Sequence, residues 1–560
     1  MPSTSPYATC LPLSTASAPK LTSKLCTASI DDNKSTLIEN IRNIYSKLQT
    51  WPALIKLFNI NHVREVLLEK GFVPKTYRTS IWHTAGAWML AAILCTLVRN
   101  CSKEQLYFYY RLLCEFEGVV AVSSRTMIRA MEQEEAVSAA IRSLSLELSA
   151  ELSKEIYDKE LNTLGRQLLE AVRKIDPAIT RIIAGDGSER PLAREENEGE
   201  TRGSAMAGRK THAIMDLALG VVVHDMIGSS LSNEREALIS MIVNDKFAPG
   251  TLYLLDAGYL SRELINCIIR RNAYYIIKAR KSINASVVRA VEYDSHRDIN
   301  GIYQISDEGR EVTFDCPVKI KDLRAKGLIS PPVTGKDGRL VGKSYVLTRA
   351  DRTKILMVFN PENKSYDEMA TESSWVYFET NLSDAFNVRI LSVLYRPRWQ
   401  LEIKFLCLKS HGGMDCGKDL NHHSSDLFVS ASMMADCLKM YIALISSYSS
   451  EELESRKDAA LMGKPSRVKV EVSSEKAASK LSLDALFYIL CKMPVGNLVS
   501  PSARRHGSYR FRSIAAAVNP GRVSSLTMKQ GKSFRSTLEA VESYAKSHES
   551  ACTAKDSLQA

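Results

Sequence analysis

Tyr395, Arg398, Glu402 and Lys409 stand at offsets of 0, 3, 7 and 14 within YRPRWQLEIKFLCLK. On a helix turning about 100° per residue they fall inside roughly 60° of arc, so one carboxylate and three phosphate-seeking groups share a stripe. A reaction at a DNA phosphodiester needs this mixture: an acid to hold a divalent metal, cations to hold the phosphate, and a hydroxyl to donate to a further oxygen. An amphipathic surface helix with a solvated charged face shows the same intervals, so the stripe does not decide by itself. Pro397 adds a constraint. It breaks a helix running in from Val393 but suits the first turn of a new one, which puts Arg398, Glu402 and Lys409 on a helix starting there and leaves Tyr395 before it.

The elements that must position these groups begin near Thr180, where the apolar period changes. RIIAGD, THAIMDLA and VVVHDMIG read as three successive strands,. NEREALISMIVND follows as a helix capped by Asn233, then the strand TLYLLD, the helix SRELINCIIRRN started by Ser261, and the strand AYYIIKAR,. Three strands, helix, strand, helix, strand is the order of a mixed α/β sheet of the ribonuclease-H-like kind, with a meander followed by returns through helices. Asp186 in AGDGS and Asp256 in LLDAGY end two of those strands. On neighbouring strands both carboxylates project from one end of the sheet, with Gly185, Gly187 and Gly258 allowing close backbone approach to a ligand. Mg²⁺ prefers such oxygen donors, although an Asp at a strand end is also a common turn former.

The remaining composition points to a soluble chain with a polyanionic partner. Its 560 residues suggest two to four domains, 45% are hydrophobic and 24% charged, and the formal net charge is +11,. The twelve cysteines form no CxxC pair and read as reduced thiols in a cytosolic protein,. Residues 1–33 read as a disordered leader rich in Ser, Thr, Pro and Ala. Ile81 to Val98 carries no charge, but His83, Thr84 and Gly86 favour a buried core helix over a membrane span,. From 34 to 178 the apolar spacing is helical, and a helix from Ser102 to Phe116 followed by one with Arg125, Thr126, Arg129 and Gln133 reads as a helix-turn-helix or a plain hairpin,. His411, Cys416, His422 and His423 lack the spacing of a closed zinc motif, so zinc is not expected. Between Ala485 and Leu538 no acid occurs, while Arg504, Arg505, Arg510 and Arg512 stand among Tyr509, Phe511 and other basic residues. That tract suits phosphate binding as an extended arm, or is a solvated tail.

Together these residues resemble the insertion-sequence-4 family of DDE transposases. The family's signature is Tyr, two residues, Arg, three residues, Glu, six residues, Lys, and Tyr395, Arg398, Glu402 and Lys409 match its spacing. The surroundings of Asp186 and Asp256 resemble the family's two aspartate motifs, and Lys210 and His212 its Lys-x-His strand. The resemblance implies that Asp186, Asp256 and Glu402 are catalytic and hold two Mg²⁺ ions, with Mn²⁺ as a substitute. It also implies phosphate or DNA contacts from Tyr395, Arg398, Lys409, Lys210 and His212, to which Arg125 and Arg129 are added from the second helix of the possible helix-turn-helix and Arg504, Arg505, Arg510 and Arg512 from the acid-free basic tract.

The organisation implied is a leader at 1–33, a helical DNA-binding domain at 34–178, and a ribonuclease-H-like core at 179–281 and 374–445. A β-rich insertion at 282–373 interrupts that core, and a helical, basic region for dimerisation and DNA binding follows at 446–560. Trp375, just past the insertion, is either a base-stacking residue or a core strand residue. The expected partners are double-stranded DNA, as terminal inverted repeats and target, and a second copy of the chain, with no membrane. The expected activity is metal-dependent cleavage and strand transfer at the ends of the chain's own mobile element, in a cytoplasmic, nucleoid-associated protein. A metal-dependent nuclease, or a DNA-binding regulator descended from a transposase, is the alternative.

Overall fold

Alternation along two short strands fixes where the site forms. In β1 (Arg181–Pro191), Ile182 and Ala184 enter one core cluster, as do Leu252 and Leu254 of β4 (Thr251–Leu255). Side chains two apart share a face, so Asp186 and Asp256 project on that same side. Gly185 faces the other way, toward Leu238 of helix Glu234–Asn244.

The computed structural model describes residues 60–73, 106–107, 110–111, 120–123, 125, 134–158, 164–191, 208–229, 232–245, 248–280, 283–297, 303–334, 340–359, 375–411, 414–415, 422–446 and 534–559. Helices α1 (Ile60–Glu69), α2 (Glu134–Asp158) and α3 (Leu164–Ile175) precede the sheet. Strands β1, β2 (Gly208–Asp216) and β3 (Val221–Ser229) form an antiparallel meander. Helix α4 (Glu234–Asn244) leads to β4, and α5 (Arg262–Arg270) leads to β5 (Tyr274–Ala279), with β1, β4 and β5 parallel. Asn233 and Ser261 cap α4 and α5 through their side chains, as the sequence indicates,.

The segment read as an insertion continues this sheet. Strands β6 (Ser286–Arg297) and β7 (Tyr303–Lys319), helix α6 (Ile320–Ala325), the small pair β8 (Val333–Thr334) and β9 (Leu340–Val341), and strands β10 (Ser344–Thr348) and β11 (Lys354–Phe359) lead to β12 (Trp375–Thr380). The ten-stranded order is β3-β2-β1-β4-β5-β12-β11-β10-β6-β7, and β12 joins the two parts by pairing with both β5 and β11. Trp375 is 4% exposed, packs edge-on against Phe359, and donates from Nε1 to the Lys343 carbonyl at 2.9 Å. The base-stacking alternative is therefore corrected: Trp375 is a core strand residue.

Beyond β12 come α7 (Val388–Leu394), a 3₁₀ turn at Arg396–Arg398, α8 (Trp399–His411), α9 (His422–Ser446) and α10 (Phe534–Gln559). Pro397 does break the helix, and α8 starts two residues after it,. Leu168 and Val172 of α3, Leu391 of α7, Leu401 and Phe405 of α8, and Leu538 of α10 pack on the sheet face that carries Asp186 and Asp256. The apolar face of α10 is thus covered by its own chain, with Tyr544 donating to the Ala385 carbonyl at 2.7 Å.

Among the described residues no helix is long and apolar enough to cross a membrane, and Ile81 to Val98 lies outside them. Most of the proposed helix-turn-helix, including Arg129, also lies outside them. What is described there is a stretch at 120–123 tied back to the preceding residues: Tyr107 donates to the Val122 carbonyl at 3.2 Å and the Val122 amide to Tyr110 at 3.0 Å. Arg125 is exposed.

Gly165 sets how closely α3 approaches the β2–β3 turn. A Cβ there would stand 1.9 Å from the Leu217 carbonyl oxygen and 2.9 Å from Ala218 Cα, both backbone atoms. In a helix Gly→Ala ordinarily stabilises by up to about 1 kcal/mol, whereas forced overpacking costs about 1–3 kcal/mol. Gly165→Ala is expected to lower the urea midpoint, and a raised midpoint would show that α3 does not sit against that turn.

Candidate active site

Arg398 is the hub of the site. Its Nη1 donates to Asp186 Oδ2 at 3.0 Å and its Nη2 donates to Glu402 Oε1, four residues on. The guanidinium lies 5.7 Å from the centre of the Tyr395 ring, and the Tyr395 hydroxyl donates to Asp256 Oδ1 at 3.4 Å. Two neighbouring residues of the signature thus gather three carboxylates carried by β1, the end of β4, and α8. Lys409, two helical turns beyond Glu402, flanks them by donating to the Glu189 carbonyl at 2.6 Å,. Tyr395 terminates α7 rather than lying on α8, yet its ring reaches the same place by packing on Phe378 of β12, with centroids 4.7 Å apart.

Burial and mutual repulsion push the two bridged acids toward neutrality. The Asp186 carboxyl is raised above its ordinary range by burial first, with the charge of Asp256 adding, while Arg398 and the Gly187 amide oppose,. Glu402 is raised likewise by burial, with Asp186 and Asp256 adding and Arg398 opposing. For Arg398 burial alone lowers the pKa, but Tyr395, Asp186 and Glu402 outweigh it and hold the guanidinium firmly charged. Tyr395 itself is pushed up by burial and by Asp256.

The other sequence-selected residues divide. Lys210 and His212 oppose Glu189 and Gly187 across the β1–β2 pair, so they lie on the face opposite Asp186,. Lys210 is held by Glu234 and by Glu189, and His212 is 1% exposed, its Nε2 3.0 Å from the Ser232 hydroxyl. The structure does not bring this pair into the carboxylate cluster, because strand register, which the sequence leaves open, sets the face. The glycines beside the aspartates are approached by the chain's own side chains: a Cβ would meet Leu255 at Gly185, Lys210 at Gly187 and Glu234 at Gly258. Arg504, Arg505, Arg510 and Arg512 lie outside the described residues.

Among the described residues no three metal-ligating side chains stand close enough to hold one ion in this arrangement. The donor chemistry nonetheless fits a hard divalent cation. Asp186, Asp256 and Glu402 offer only oxygens, and the charge now balancing two of them belongs to a guanidinium whose buried Nε has no hydrogen-bond partner,.

Residues 177–434, which contain all three acids, match the family described as transposase DDE domain. That stretch is the DDE domain of a DNA transposase. No curated protein matches the chain. Among solved structures, a piggyBac transposase synaptic complex with hairpin DNA aligns at 12% identity over 82% of this chain and 85% of that one, with a TM-score of 0.33.

Sequence reasoning missed two polar ties next to the carboxylate cluster. Asp426 receives Arg190 and Arg209, and Asp436 receives Lys404. The one signal for the second is a lysine interrupting the apolar face of LEIKFLCL, where a solvated position would be expected from its type,.

Proposed function

We propose that the chain is a transposase of the insertion-sequence-4 type, cleaving and joining DNA at the ends of its own mobile element with a ribonuclease-H-like catalytic core. The observation that carries this reading is the gathering of Asp186, Asp256 and Glu402 around Arg398 and Tyr395 on one face of the sheet, beside the neighbouring strands β1 and β4. The strand order β3-β2-β1-β4-β5 with helical returns supports the core assignment. Asp186, Asp256 and Glu402 would hold Mg²⁺. Bound there, two such ions lower the pKa of an attacking water or 3′-hydroxyl and stabilise the leaving oxygen. Released from Asp186 and Glu402 when those acids take the cations, Arg398 would donate to two phosphate oxygens, Lys409 would neutralise the backbone near the cleaved end, and Tyr395 would donate to a further oxygen,.

The full chain, Mg²⁺ and the DNA flanking its own reading frame test this proposal. Cleavage at the borders of inverted repeats, followed by joining to a second duplex, is the expected result. Nicking without joining would favour the nuclease, and binding without cleavage the regulator.

The basic tract needs a test that spares the fold. Truncation near Ser500 would also remove α10, whose Phe534, Leu538, Val541 and Ala545 are buried in the core. Replacing Arg504, Arg505, Arg510 and Arg512 together by Gln avoids that. Each lost phosphate contact is expected to reduce the slope of log affinity against log salt by about 0.9. An unchanged slope would show that these arginines are only solvated.

A further inference from the structure

Helix α9 is tied to both elements that carry the site's outer acids. Near its start, Asp426 accepts from Arg190 of β1 and Arg209 of β2, and Ser425 accepts from Arg190 as well. Arg190 lies four residues beyond Asp186, on the same face of the strand, and is 2% exposed,. Ten residues on, Asp436 Oδ2 accepts from Lys404 Nζ at 2.8 Å. Lys404 is 2% exposed and two residues past Glu402, about 200° round α8, so the glutamate faces the site while the ammonium faces α9,. The two aspartates are about 15 Å apart along the helix.

We propose that Asp426 and Asp436 are positioning residues, and that α9 is a brace fixing β1 against α8 so that Asp186 and Glu402 can share divalent cations. This rests on the reading of those acids as metal ligands. Direct polar links between β1 and the α8 segment come from Arg398 to Asp186 and from Lys409 to the Glu189 carbonyl. The Arg398 link occupies carboxylate oxygens that a cation would take, so it is given up when the cation is held, and the Lys409 link belongs to a lysine assigned to phosphate. The ties through α9 use neither. An apolar helix interface tolerates small slides, whereas a buried ion pair is directional. Its net contribution to stability is small when both partners are replaced by apolar groups, so it supplies geometry more than stability.

That difference provides the test. Mn²⁺ binding to the full chain is followed by loss of the free-ion EPR signal, alongside thermal melting, for wild type and for the double variant Lys404→Met/Asp436→Leu. The double variant is expected to melt within a few degrees of wild type while its Mn²⁺ midpoint rises at least about tenfold, the usual scale for groups that orient metal ligands. The charge-swapped variant Lys404→Asp/Asp436→Lys is expected to recover most of that loss. An apolar variant with a wild-type Mn²⁺ midpoint would overturn the brace. If it does not fold, Asp426→Asn at the other end is expected to raise the Mn²⁺ midpoint likewise, with a lower melting temperature because Arg190 loses its counter-charge, and a wild-type midpoint there overturns the proposal equally,. Wild type that binds no Mn²⁺ would instead remove the metal-ligand reading itself.

Discussion

Glu402→Gln is expected to abolish strand cleavage, by about 10³-fold or more, while leaving binding to the element's end largely intact. Such a factor corresponds to about 4 kcal/mol of transition-state stabilisation. Gln keeps the size of the side chain and its hydrogen bond from Arg398, but removes the charge that a hard cation requires,. Lys409→Ala should fail differently. Among the described residues Lys409 donates to a backbone carbonyl, at 2.6 Å, and touches no acid of the site. Its loss should weaken binding of the cleaved end and lower the salt slope by about 0.9, with cleavage of bound DNA less affected. A cleavage assay beside a gel shift on the flanking DNA separates the two defects. Glu402→Gln protein that still nicks at the wild-type rate would remove Glu402 from the catalytic set and return the regulator to favour.

Local physics made much of this arrangement legible. The change from helical to alternating period at Thr180, the caps Asn233 and Ser261, and the break at Pro397 are settled by residues within one turn of each other, and the structure places each as expected. Parity along two strands is enough to aim Asp186 and Asp256 at one face,. Distant register was not legible. Lys210 and His212 look like ligand-facing residues in a strand, yet pairing of His212 with Gly187 turns both to the far face. That β12 would join a second set of strands to the first, burying Trp375, depends on pairings across a hundred residues and has no local signature. The ties of Arg190 to Asp426 and of Lys404 to Asp436 are likewise products of packing, in which a residue type common on surfaces is buried because its partner is buried beside it,.

Arg398→Ala is expected to make the protein depend on a divalent ion for its stability. The Arg398 side chain is 10% exposed and neutralises Asp186 and Glu402, whose side chains are 19% and 29% exposed. Deleting one partner of a buried pair costs about 3–5 kcal/mol, and the partial exposure of these acids reduces that to about 2–3 kcal/mol. In EDTA the variant should therefore melt well below wild type, because two like charges beside Asp256 are left facing one another. Mn²⁺ should restore much of the difference. The ion supplies the missing charge, no longer competes with a guanidinium for the same oxygens, and stabilises the folded state by mass action. Arg398→Lys should fall between the two, since an ammonium is a point charge that does not bridge both acids as the fork does. Melting curves in EDTA and across a Mn²⁺ series decide it. If Arg398→Ala melts like wild type in EDTA, or gains no more than wild type from Mn²⁺, then Arg398 is not the charge that holds these carboxylates together, and their convergence needs another cause.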